Sequence, residues 1–135
     1  LLKEDVRMSR KNLWLGFASL IAVNVALNNL ATAIVPQTIT AITVQPIVIS
    51  FLASFAGGFI ARERFILIAL GVWAVLWAAI GYMLYLIAAP TGHATVSSIA
   101  QHNWVAFLFS GLATVAGAYI GQAQAIHRTK NTAAT

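Results

Sequence analysis

Residues 24–46, NVALNNLATAIVPQTITAITVQP, decide the fold. The stretch starts inside an apolar run, passes Pro36 and reaches Pro46 without a single charged residue. Its polar groups are amides and hydroxyls only: Asn24, Asn28, Asn29 and Thr32 before Pro36, then Gln37, Thr38, Thr40, Thr43 and Gln45. Segments this apolar and uncharged belong in a bilayer, and they predict two membrane helices joined by an uncharged connection.

The rest of the chain agrees. Of its 135 residues 60% are hydrophobic and only 8% charged, with a mean hydropathy of +0.84. Soluble domains carry about 25% charged residues, so this composition builds a lipid-facing surface rather than a water-facing one. Apolar runs predict an all-α bundle of four transmembrane helices at about 13–35, 44–61, 65–89 and 104–126, forming one domain over 1–135. At 1.5 Å per residue, the first run is long enough for a hydrocarbon core of about 30 Å. Residues 90–103 read as a second uncharged connection, and NTAAT at the end reads as a frayed tail. Met8 offers an alternative start, with 1–7 as additional sequence.

Charge placement sets the orientation. Lys3, Arg7, Arg10 and Lys11 precede the first helix, Arg62 and Arg64 lie between the second and third, and Arg128 and Lys130 follow the fourth. The other two connections hold no Lys or Arg. By the positive-inside rule both termini are expected in the cytoplasm, with the chain multi-pass in the inner (plasma) membrane. A net charge of +5 distributed this way calls for no nucleic-acid partner. The partners expected are membrane lipid and other membrane subunits, or further copies of the chain.

Two kinds of surface stand out. Small residues at four-residue spacing allow helix backbones to approach closely. Ser50, Ser54 and Gly58 form such a strip on the second helix, and Ala113, Gly117 and Gly121 form one on the fourth. On the third helix Gly71, Ala74, Ala78 and Gly81 share an arc expected at a helix seam, while Trp73 and Trp77 lie on another expected to face lipid or a larger partner. The other surface is polar. Asn24, Asn28 and Thr32 share one face of the first helix, with Asn29 farther round. Amides are expensive against lipid, so the stripe reads either as interhelical hydrogen bonding or as contacts to a solute. Gln37, Thr38, Thr40, Thr43 and Gln45 read either as a pore-lining re-entrant element or as an exposed outer hairpin.

Chemistry is sparse. No Asp, Glu, Lys, Arg or His lies inside an apolar run, which removes acid–base work within the membrane. Ser97 and Ser98 lie near His102, but that side has no carboxylate to orient the histidine. His93 and His102 are too few for a metal site, and there is no cysteine. No catalysis, metal or cofactor is expected.

At Gly57-Gly58-Phe59-Ile60-Ala61-Arg62, and again at GLATVAGAYIGQAQA (111–125), the chain resembles certain small bacterial four-helix membrane proteins of unassigned function. In these a Gly-Gly-x-x-Ala-Arg turn joins the middle helices and a glycine-rich last helix closes the bundle. The resemblance implies the bundle and brings no activity with it. Small multidrug exporters carry a glutamate in helix one, where this chain has only asparagines. The function expected is a non-catalytic accessory, assembly or scaffold subunit of a larger membrane complex or a homo-oligomer. The alternative is a small channel or transporter for a neutral polar solute or an ion, using Asn24, Asn28 and Thr32.

Overall fold

Four helices run up and down: α1 (Leu2–Ile34), α2 (Ile39–Ala61), α3 (Phe65–Ala88) and α4 (Val96–Thr132), with a 3-10 turn at Ala89–Thr91. The computed structural model describes residues 2–36, 38–92 and 95–132, with side chains for all of these except 2–9, 39, 91 and 129–132. Each helix contains a span long and apolar enough to cross a bilayer, and no strand occurs among the described residues. The chain is an all-α, multi-pass membrane protein.

Three helix starts lie earlier than expected: α1 takes in the charged entry from Leu2, and α2 and α4 each start early for a local reason. Thr38 has extended backbone, and its hydroxyl oxygen accepts from Ala41 N at 3.2 Å, a side-chain cap that starts α2 at Ile39. Thr40, Thr43 and Gln45 are therefore helical, which corrects the reading of 36–45 as a loop or re-entrant element; Gln37 lies outside the described residues. Pro46 sits within α2, where its missing N–H leaves the Ile42 carbonyl without its usual helical donor. At α4, Ser98 N donates to Thr95 Oγ1 (3.1 Å) and Thr95 N donates to Ser98 Oγ (3.2 Å). This reciprocal cap starts the helix at Val96 rather than near Trp104. Helix α4 also continues through Asn131 and Thr132, part of the expected tail.

Helix α2 lies at the centre, between α1 and α4, whose backbones do not approach each other closely among the described residues; α3 packs mainly on α4. The α2–α4 seam is backbone to backbone. A Cβ at Gly117 would run into the Phe51 carbonyl oxygen, one at Gly121 into that of Phe55, and one at Gly58 into that of Ala118. Of the small strips predicted on these two helices, Gly58, Gly117 and Gly121 lie in this seam, against the backbone of Ala118 and of Phe51, Phe55 and Phe59. Along the same side of α2, the rings of Phe51, Phe55 and Phe59 stack with centroids 6.5 and 6.3 Å apart. At the arginine-bearing end, Gly16 of α1 and Gly57 of α2 close around Phe65, which is completely buried.

The turn between α2 and α3 takes only three residues. Arg62 (φ 67°) and Arg64 (φ 54°) adopt positive φ, unusual for side chains with a Cβ. Arg64 supplies no side-chain cap to α3. The cap comes from α4: with its amide oxygen turned toward this turn, Gln122 accepts from Arg64 N (2.8 Å) and Phe65 N (3.1 Å). A buried Gln thus satisfies donors that the turn leaves open.

Candidate functional site

The arc assignment on α3 is reversed in the structure. Gly71 and Gly81 have nothing within 4 Å of an added Cβ, and Ala74 and Ala78 are exposed, so the small-residue arc is not a seam within the monomer. Trp73 and Trp77 face inward instead. Both indole N–H groups donate to Ser110 Oγ on α4, at 3.0 and 2.9 Å. Ser110 in turn donates to Phe107 O at 3.1 Å, and Thr114 Oγ1 donates to Ser110 O at 2.8 Å. The Trp73 ring lies 4.5 Å and the Trp77 ring 5.5 Å from that of Phe107, centroid to centroid. Indole needs an acceptor in a dry interior, and Ser110 supplies one for both rings.

In front of this cluster lies a cleft of about 490 Å³ walled by all four helices. Contacts between α1 and α3 are few, which leaves the cleft room between them. Asn24 and Asn28 line it from α1, Ser50 and Ser54 from α2, Trp73 and Trp77 from α3, and Asn103 and Thr114 from α4. Its lining contains no Asp, Glu, Lys, Arg or His.

The asparagine stripe divides at this cleft. Asn28 Nδ2 donates to Asn24 O and Asn24 Oδ1, both at 3.0 Å, and Thr32 Oγ1 donates to Asn28 O at 2.8 Å. These bonds all lie within α1 and do not join helices. Asn29 is exposed and does not line the cleft, and neither does Thr32. On the partner strip Ser54 is only 3% exposed, yet its hydroxyl bonds no described residue; Ser50, one turn earlier, makes no side-chain bond either. Ala113, predicted on the α4 packing strip, is partly buried.

Near the start of α4 no serine–histidine side-chain pair forms among the described residues. His102 Nδ1 meets the Ser98 carbonyl oxygen at 2.8 Å, and the Ser98 hydroxyl donates to Thr95 O at 2.9 Å. His93 lies outside the described residues.

Sequence reasoning missed three parts of this arrangement. The Trp73–Trp77–Ser110 junction had a signal: two indoles four residues apart on one helix, and a serine within the apolar run of another. Gln122 had one too, since the Arg62–Arg64 turn offers no Ser, Thr, Asp or Asn to cap α3. The cleft had none, because it depends on which helices fail to meet. Against models of known protein families, curated protein sequences and solved structures, the chain gives no match.

Proposed function

We propose that this chain is a non-catalytic subunit of a membrane assembly, joined to a further transmembrane helix along α3. The observation that carries this reading is a groove of about 560 Å³ between the outer halves of α3 and α4, with Ala78 and Gly81 on its α3 side and Val96, Ile99 and Ala100 on its α4 side. Close backbone approach drives helix association in lipid, where burial of apolar surface alone gives little advantage. Glycines 16, 57, 58, 117 and 121 already make such approaches inside the monomer, whereas Gly71 and Gly81 make none. The small-residue arc of α3 is thus open for a helix from another subunit or from a second copy.

The test is association in the membrane. Cross-linking in intact cells is expected to trap the chain with a partner above its own 14.4 kDa. Gly81→Leu should lower that yield roughly ten-fold, about 1.4 kcal/mol of association, while leaving helicity and thermal stability unchanged. A product at twice the monomer mass identifies a homo-oligomer, and any other mass a different subunit. If only monomer is found, or if Gly81→Leu associates like the native chain, the reading fails.

The proposal includes orientation: both ends in the cytoplasm, the membrane being the plasma membrane. Arg10, Lys11, Arg62, Arg64 and Arg128 lie at one end of the bundle, as the alternating helix directions require. A reporter fused after Thr135 should read cytoplasmic. Because the chain has no cysteine, a single Gly92→Cys should react with an impermeant maleimide added outside. Reaction only after the membrane is broken would invert the topology.

A further inference from the structure

We propose that the cleft between α1 and α3 binds an uncharged amphiphile dissolved in the bilayer, its oxygen-bearing head held by Asn24, Ser50 and Ser54. This goes beyond the assembly reading and does not depend on it, since the cleft and the outer α3 groove are different surfaces.

On the α3–α4 side of the cleft every hydroxyl and indole is committed: two indoles to Ser110, Ser110 to Phe107 O, and Thr114 to Ser110 O. On the α1–α2 side three polar groups are not. The Asn24 amide accepts from Asn28, but its N–H₂ has no acceptor among the described residues, and the hydroxyls of Ser50 and Ser54 bond nothing there. Ser54 is 97% buried as a residue, yet no fully buried side-chain N or O atom among the described residues lacks a partner, so its unbonded hydroxyl oxygen must be open to the cleft. A polar group facing an apolar-walled space gains by pairing, because leaving it unpaired once water is excluded costs free energy. A ligand in the cleft would complete them.

The chemistry of that ligand follows from the walls. All three groups donate hydrogen bonds, so they suit hydroxyl, carbonyl or ester oxygens. No charged side chain lines the cleft, so an ionised head would be buried without a counter-charge. Ile49, Val72, Leu76 and Ile80 supply an apolar wall that a sugar-like solute would leave unmatched. The volume, about 490 Å³, is that of a small-molecule site. Entry is from the lipid, where α1 and α3 have few contacts. At the arginine-bearing end, Phe65 packed against Gly16 and Gly57 closes the bundle, which favours a blind binding site over a continuous pore.

Tryptophan quenching tests this directly. Trp14 and Trp104 are exposed and change to Phe, leaving Trp73 and Trp77 as reporters beside the cleft. In phosphatidylcholine vesicles the probe is a monoacylglycerol brominated at mid-chain, compared with phosphatidylcholine and a fatty-acid anion carrying the same brominated chain. The monoacylglycerol should quench at a several-fold lower mole fraction than either comparator. Ser54→Ala and Ser50→Ala should each raise that mole fraction by roughly 2–10-fold, the range for one net hydrogen bond, with the thermal midpoint unchanged or higher. Equal quenching by all three lipids would mean that the cleft holds only bulk lipid or water, and would overturn the proposal. Preference for the anion would overturn the uncharged head, and indifference to both serine changes would overturn the hydrogen-bonding site.

Discussion

Gly121→Leu is expected to abolish the folded monomer, not merely its association with other chains. Even a single Cβ at this position would run into the Phe55 carbonyl oxygen and come within 2.9 Å of Phe59 N. Both obstacles are backbone atoms of α2, and neither can rotate aside as a side chain would. Leucine adds three more carbons, so α2 and α4 must separate along the most extensive helix pairing in the bundle. Overpacking a well-filled interior costs about 1–3 kcal/mol and occasionally more; clashes with backbone place this change at or above the top of that range. Gly117→Leu meets the Phe51 carbonyl oxygen in the same way and should behave alike. Gly71→Leu is the matched control, because nothing lies within 4 Å there; its effect should stay within about 0.5 kcal/mol. Unfolding of purified protein in detergent, followed by helicity, measures all three. A native-like midpoint for Gly121→Leu would mean that the two helices do not meet at this face.

That contrast also shows which parts of the bundle are legible in sequence. The spans are, because lipid demands long apolar helices and the chain offers four. The α2–α4 seam is legible because small residues four apart leave a groove in any helix that carries them. Residues 36–45 mislead because prolines bracket a threonine-rich run that resembles a loop. Thr38 caps a helix that simply continues through Pro46, whose lost hydrogen bond is tolerable within a bundle. Helix α3 misleads differently. Bulky Trp73 and Trp77 look like lipid-facing residues and the small arc looks like a seam, yet the need to pair two indole N–H groups turns the rings inward to Ser110. That outcome depends on a residue more than thirty positions away in sequence, which periodicity within α3 does not reveal. The cleft is less legible still. Asn24 and Ser54 are visible as polar residues in apolar runs, but that they face one space follows only from the assembled helices.

Ser110 carries the second large expected effect. Its hydroxyl is completely buried and accepts from both Trp73 and Trp77 while donating to Phe107 O. Ser110→Ala removes one oxygen and leaves two indole N–H groups without that acceptor in the interior of the bundle. A buried donor left unpaired costs about 1–3 kcal/mol; both indole bonds are part-buried, so losing the shared acceptor should destabilise the chain by about 2–3 kcal/mol, the low end for two donors. Interhelical bonds in membranes average only about 0.6 kcal/mol when the unfolded state finds substitute partners. The measured loss therefore reports how completely the bundle confines these rings. The sharper test is coupling. Trp73→Phe and Trp77→Phe each remove a donor and keep an aromatic ring against Phe107. In the native background each should cost stability, and in the Ser110→Ala background each should cost less or even restore it, because an unpaired donor has then been removed. Trp73→Phe together with Trp77→Phe and Ser110→Ala should be more stable than Ser110→Ala alone. Strict additivity of the serine and tryptophan changes would show that the junction contributes packing only, with α3 held on α4 by ring contacts and not by the shared hydroxyl.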